Sequence, residues 1–195
     1  MLNLPQITLI ALTGIKFDEH KKVLDKMCEG INFGAAKIIW DTRIDSVDYW
    51  NRAIVFDLWK YFDTSHCFLF HADGYIINPD LWNPEWLNCD FIGSPWPLPT
   101  DSYSYRDIFG NIQRVGNSVG LRSRKLQKLP TDLGLEWKSY YGNTNEDGFF
   151  SVHNRHIFEQ NGCKFGTFKQ ALDFGREFDL PEHNGRRTFS FHQAS

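Results

Sequence analysis

The sequence predicts an α/β protein, a single domain over residues 1–195 with a mainly parallel sheet flanked by helices. Three observations predict it. Within the first 77 residues, three apolar runs of strand length alternate with two stretches of helical periodicity, and this β-α-β-α-β succession yields a sheet with right-handed crossovers. Hydrophobic residues make up 42% and charged residues 23%, ordinary globular usage that supports a core. No repeat, low-complexity tract or linker interrupts a chain whose 195 residues suit one domain.

The elements follow in order. Ile7 to Leu12 is a nearly continuous apolar run, as expected of a strand covered on both faces. Asp18 can cap a helix in which Val23, Leu24, Met27, Cys28 and Ile31 recur at helical spacing, with Gly34 as its stop. A second strand spans Lys37 to Trp40, and Ser46 opens a helix to about Phe62 with Trp50, Ile54, Leu58 and Phe62 on one face. The third strand, Cys67 to Phe70, runs through His71-Ala72-Asp73-Gly74 into Tyr75-Ile76-Ile77.

Beyond it, Pro79 to Asn88 reads as a turn and short helix, and Phe91-Ile92 as a short strand. Three prolines keep Ser94 to Pro99 out of regular structure, and a long loop continues to about Gln113. Asn145 caps a helix carrying Phe149, Val152, Ile157 and Phe158, stopped by Asn161-Gly162, and Phe189 to His192 forms a last short strand. Ligands of such sheets gather at the carboxyl ends of the strands, so the segments after Leu12, after Trp40 and around Asp73 share one rim.

Composition excludes several classes. A net charge of −3 gives no field that would hold nucleic acid or an anionic membrane. The four cysteines, Cys28, Cys67, Cys89 and Cys163, include no Cys-x-x-Cys pair and read as reduced core thiols. No run approaches the roughly 20 apolar residues of a transmembrane helix, the start lacks the basic residues of a signal peptide, and a cytoplasmic location is expected. Aromatics reach 16%, enough for a heavy core and for platforms against which a flat ligand or sugar ring could rest.

Asp73 is the first chemical candidate, since a carboxylate at the end of a buried strand can hold a divalent cation on phosphate oxygens. Asp73-Gly74 is equally a hairpin-turn signal, and His71 points the same way along the strand. Glu146 and Asp147 are the second: in a first helical turn they complement the helix dipole, and at a site rim either could accept a proton as general base. Gly116-Asn117-Ser118-Val119-Gly120 followed by Arg122, Arg124 and Lys125 is the third, a segment able to approach a ligand closely and meet a diphosphate, or a solvated helix start. It matches no standard phosphate-loop pattern. His192 is a metal ligand or a tail residue.

Together, the blocks Asp63 to His66, Phe70-His71-Ala72-Asp73-Gly74-Tyr75 through Trp82, Asp90-Phe91-Ile92-Gly93-Ser94-Pro95-Trp96-Pro97, Val115-Gly116-Asn117, Leu121 to Leu126 and Asn145-Glu146-Asp147 resemble a widespread microbial domain family. That family is largely known as a domain of unknown function, is taken to consist of glycosyltransferases, and is similar in plan to GT-A enzymes. The resemblance covers roughly Leu4 to His192.

The resemblance implies a GT-A-like fold and transfer of a sugar from a nucleoside-diphosphate-sugar donor to a glycan or other hydroxyl acceptor. In such enzymes a short acidic motif coordinates Mn²⁺ or Mg²⁺ on the donor diphosphate. Here it corresponds to His71-Ala72-Asp73, with His192 completing the metal shell. Asn145-Glu146-Asp147 resembles the acidic cluster of galactosyltransferase-type enzymes, which assigns the base to Asp147 with Glu146 next in line, and inversion by direct displacement. The donor is expected along Thr13 and Gly14, with Asp41 on the base or ribose and Asp73 and Gly74 at the diphosphate. Trp96, Gly116 and Asn117 are expected on the acceptor side. The chain is short for such a transferase, which implies a trimmed acceptor region or help from another subunit, a homo-oligomer partner included. Two other classes compete: a non-catalytic nucleotide-sugar or glycan-binding module, and a phosphate-ester hydrolase, which would need more metal-binding carboxylates.

Overall fold

The structure, a computed structural model, describes residues 1–140 and 145–193. Strand β1 (Leu2–Thr13) is buried without interruption from Ile7 onward, the expected consequence of an apolar run covered on both faces. Helix α1 (Phe17–Gly30) starts differently from expectation. Lys16, in the left-handed region at φ 54°, precedes it with no side-chain cap, and Asp18 sits inside the first turn, where it complements the dipole. Gly34 is no helix stop. It lies within β2 (Ile31–Trp40), where a Cβ would fall 2.1 Å from the Pro5 carbonyl oxygen. The parallel pairing of β1 and β2 shifts register between Leu4 and Thr8 at this point, so the strand passes the irregularity only because residue 34 has no side chain.

Helix α2 (Val47–Phe56) begins as predicted, with the Ser46 hydroxyl accepting from Tyr49 N at 3.3 Å. It breaks at Asp57 into a 3-10 turn, Leu58–Tyr61. Strands β3 (His66–Leu69) and β4 (Gly74–Ile76) follow, then two 3-10 turns at Pro79–Leu81 and Pro84–Asn88. β5 (Phe91–Pro95) runs further than the sequence suggested: Pro95 pairs with Val115 after a register shift. Proline is tolerated there because β5 is an edge strand. The glycine-rich segment from Gly116 is the inner part of β6 (Val115–Ser123), and α3 (Arg124–Asp132) follows, capped by the Ser123 hydroxyl. The helix expected from Asn145 is broken into α4 (Glu146–Gly148), a π-helical turn at Phe149–His153, and α5 (Arg155–Gln160). Helix α6 (Phe168–Phe174), strand β7 (Gly175–Arg176), a 3-10 turn at Pro181–His183 and strand β8 (Ser190–His192) complete the described elements.

Among the described residues, five strands form one sheet in the order β2-β1-β3-β6-β5 and three form a second, β4-β8-β7. β1 is parallel to β2 and β3, while β6 is antiparallel to β3 and β5, so the main sheet is mixed. Leu9, Ala11, Phe68, Val119 and Leu121 face a core containing Trp86, Phe174 and Phe189, while Ile10, Leu12, Cys67 and Leu69 face Ile54, Leu58 and Phe62. Each fully buried Leu, Ile, Val or Phe among them contributes about 1.5–3 kcal/mol. The aromatic excess is spent mainly here: Trp86 lies 5.0 Å from Phe174 and 5.2 Å from Phe189, ring centre to ring centre. All four cysteines are free thiols, three of them buried. No described helix is long and apolar enough to cross a membrane.

Candidate active site

The site grows from the carboxyl ends of β1 and β3. The Phe70 amide continues the ladder by donating to Ile10 O at 3.0 Å, and His71 and Gly74 then exchange backbone hydrogen bonds of 2.7 and 3.3 Å. Ala72 and Asp73 therefore occupy the tip of a tight turn. Both sequence readings of Asp73-Gly74 hold at once: it is a hairpin, and the hairpin presents a carboxylate. β4 leaves this turn to pair antiparallel with β8, with Gly74 opposite His192, and Gln193 N donates to Asp73 O at 3.0 Å. The last strand thereby carries His192 back to the turn.

The ligating atoms of His71, Asp73 and His192 all lie within 4.8 Å of one another. His192 Nε2 is 3.8 Å from Asp73 Oδ1, and the two imidazole rings are 5.2 Å apart, centre to centre. His71 Nε2 is buried without a hydrogen-bond partner. Burial holds the His71 imidazole well below its usual pKa range, with His192 and His20 adding to the effect, so its neutral form keeps a free lone pair. Two imidazoles and a carboxylate suit a divalent cation, and an orphaned buried ring nitrogen is what an absent ligand bond would leave. Trp50 packs edge-on against His71 at 5.0 Å and is itself fixed by donating Nε1–H to Leu12 O at 2.7 Å.

Asp147 faces this cluster from α4. The cluster and Asp147 line the same cleft of about 720 Å³, together with Thr13, Lys16 and Trp50. A smaller cavity of about 230 Å³ adjoins it, walled by Trp96, Tyr103, Tyr105, Tyr140, His153 and Glu177 and sharing Asn145 and Asp147 with the larger one. Asp147 thus stands at the junction. Its Oδ1 accepts from Gly148 N at 2.7 Å. Burial, reinforced by the neighbouring Glu146 carboxylate, raises its pKa well above the usual range.

The family model described as "Protein of unknown function (DUF5672)" matches residues 38–192. The chain belongs to the DUF5672 family. No curated protein matches it significantly. Among solved structures, this DUF5672 chain resembles a crystal structure of a glycosyltransferase involved in the glycosylation of the major capsid of PBCV-1, with a TM-score of 0.59 and 12% identity over 95% of this chain and 91% of that one. The expected GT-A-like α/β fold is therefore the fold found, at a length close to that glycosyltransferase's own.

Several site residues of this DUF5672 member do other work than expected. Glu146, proposed beside Asp147 as a catalytic carboxylate, is 2% exposed and bound to Arg122 Nη2 at 2.6 Å, and its other oxygen accepts from Asp147 N. Its own amide donates to Asn51 Oδ1 at 2.8 Å. Glu146 lines the large cleft beside Asp147, with each carboxylate oxygen tied to one internal partner. Arg122, Arg124 and Lys125 line neither cavity: Arg122 holds Glu146, Arg124 Nε donates to Phe62 O at 2.9 Å, and Lys125 Nζ donates to Gly162 O at 2.7 Å.

Gly116 and Asn117 line neither cavity. A Cβ at Gly116 would fall 1.9 Å from the Trp96 ring, so this glycine exists to seat that ring. Asn117 is 1% exposed at φ 77°, its Oδ1 accepting from Val119 N at 2.9 Å. Trp96 does line the smaller cavity, but it is 5% exposed and stacked on Tyr105 at 4.7 Å, a wall rather than an open platform. On the donor side, Thr13 lines the cleft with its hydroxyl engaged by Ile15 O at 2.6 Å, and Gly14 packs against the Ile44 and Asp41 carbonyls. Asp41 does not line the cleft. It is clamped by Arg43 at 2.6 Å, which lowers its pKa to about 2, and Ile44 to Val47 line the cleft instead. Gly74 backs directly onto the His192 ring. His71, Lys16, Trp50 and Glu177 had no assigned role. Only His71 carried a signal, its position two residues before Asp73.

Proposed function

We propose that this DUF5672 chain is a glycosyltransferase that moves a sugar from a nucleoside-diphosphate sugar to a hydroxyl acceptor. The observation that carries the proposal is the shared cleft: the His71, Asp73 and His192 cluster and the Asp147 carboxylate, far apart in sequence, line one cavity at the strand ends. The glycosyltransferase-like fold supports it.

In this reading the donor occupies the larger cleft, its nucleoside against Trp50 and the apolar rim at Ile15 and Val47. Lys16, also on the lining, offers a cation to the diphosphate. His71, Asp73 and His192, two imidazoles and a carboxylate, would hold a transition-metal dication such as Mn²⁺ rather than Mg²⁺, which takes oxygen ligands, and a bound cation supplies countercharge for the departing diphosphate. The acceptor enters the smaller aromatic cavity, where sugar faces pack well against rings. Asp147, at the junction, takes the acceptor hydroxyl proton as the acceptor oxygen bonds to the anomeric carbon. The anomeric carbon–phosphate oxygen bond breaks, and the nucleoside diphosphate leaves with the electron pair. Attack opposite the leaving group inverts the anomeric configuration.

Incubation with a panel of nucleotide sugars, Mn²⁺ and glycan acceptors, followed by assay of released nucleotide, tests this. Turnover is expected, lowered by roughly 10²–10⁴-fold in Asp147→Asn, the range of general-base contributions, and abolished in Asp73→Ala. Saturable donor binding without turnover, unchanged in Asp147→Asn, would establish a binding module instead.

A further inference from the structure

The small sheet β4-β8-β7 places more than two metal-ligand candidates in a row. Gly74, next to Asp73, lies opposite His192 on one side of β8, and on the other side the parallel register pairs Arg176 with Phe191. The residue after Arg176 is Glu177, and its Oε1 reaches to 3.5 Å from His192 Nδ1. Asp73, just before β4, and Glu177, just after β7, thus flank His192, the last residue of β8, with the imidazole between them.

Both ends of the Glu177–His192 contact are otherwise unserved. Glu177 is mostly buried, and its Oε2 has no hydrogen-bond partner; His192 Nδ1 has none either. The adjacent Arg176 is directed elsewhere, to the Arg186 carbonyl at 2.8 Å and toward Asp179 at 3.6 Å. A largely buried carboxylate needs a hydrogen-bond donor, and the imidazole is within reach. A histidine that gives one ring N–H to a carboxylate presents its other nitrogen unprotonated and in a fixed orientation, the usual support of a metal-bound imidazole.

From this geometry we infer that Glu177 is a positioning residue for the divalent-cation site: it accepts the Nδ1–H of His192 and so aims Nε2 at the space shared with Asp73 and His71. The inference rests on the metal reading of that cluster. Glu177 also lines the acceptor-side cavity, so this single contact joins the wall of one cavity to the ligand set of the other.

Calorimetric titration of the full metal-free chain with Mn²⁺ tests it, using wild type, E177Q, E177A, H192A and the E177A/H192A double variant, each checked for an unchanged melting temperature. Loss of an outer-shell partner of this kind typically weakens metal binding 10–100-fold, and E177A is expected to fall in that range. E177Q, which keeps one acceptor oxygen, should lose less. In the H192A background, E177A should cost nothing further, because Glu177 acts only through the imidazole. Wild-type affinity in E177A, or an equal loss with and without His192, would overturn the role of Glu177 while leaving the metal site standing. No Mn²⁺ binding by wild type would overturn both.

Discussion

Replacing Arg122 by methionine should be among the most damaging single changes away from the cleft itself. The guanidinium is fully buried, its Nη2 donating to Glu146 at 2.6 Å and to Ser118 O at 3.2 Å, and it lies 5.1 Å from the Phe91 ring and 5.6 Å from that of Phe150. Methionine fills much of that space and suits the rings, so lost packing is a small part of the effect. The large part is Glu146, 2% exposed, whose charge would remain without its counterion. Breaking a buried pair from one side costs about 3–5 kcal/mol. At about 2–4 °C per kcal/mol for a chain of this size, the melting temperature should drop by roughly 6–20 °C. Urea denaturation of wild type, Arg122→Met and Arg122→Met/Glu146→Leu provides the assay. The double variant should recover most of the loss, since an apolar pair of similar volume commonly replaces a buried ion pair without penalty. A single-variant loss below about 1 kcal/mol, or a double variant no better than the single, would refute the claim that an uncompensated carboxylate is the cause.

Two further outcomes follow from the site. Asp147 has a pKa raised by burial and by Glu146, so the folded state prefers its protonated form. Its ionisation destabilises the fold progressively as pH climbs above the unfolded value of about 3.9. Asp147→Asn should therefore match wild type in melting temperature near pH 3.5 and exceed it increasingly from pH 4 upward; a gap that narrows over that range contradicts the assignment. Gly74→Ala would set a Cβ 2.6 Å from His192 Cδ2 and 2.4 Å from Val119 Cγ2, forcing the imidazole aside. Mn²⁺ affinity measured by calorimetry should fall about tenfold or more, and an unchanged affinity would show that His192 is not needed where it stands.

How far the sequence reveals this molecule depends on the range of the interactions involved. The strand at Ile7–Leu12 and the helix start at Ser46 are legible because each is written locally, one as an unbroken apolar run and the other as a capping hydroxyl. Strand β6 is not, because its glycines are selected by close neighbours, Trp96 beside Gly116 above all, and resemble loop glycines when read alone. β7, two residues long, has no period to detect. Glu146 and Asp147 are adjacent and chemically alike, both line the cleft, and only the placement of Arg122 decides which of them becomes the buried counterion. His71 was half legible, since strand alternation puts it on the side of Asp73, while its closeness to His192 depends on the pairing of β4 with β8. Glu177 reaches the site by the same sheet and nothing nearby in sequence announces it. The aromatic excess suggested open platforms, yet most of those rings fill the interior.

The pairing of Gly74 with His192 also sets a timetable. During synthesis the hairpin at Asp73 leaves the ribosome well before its partner strand, and at about 5–20 residues per second it waits several seconds or more for that partner. Throughout this interval the nascent chain owns one histidine and one aspartate of the cluster and cannot grip an ion with all three. On the proposed metal reading of that cluster, cation capture is a late event that waits until β8 has docked, and a half-made chain is spared from locking a stray metal into an unfinished pocket.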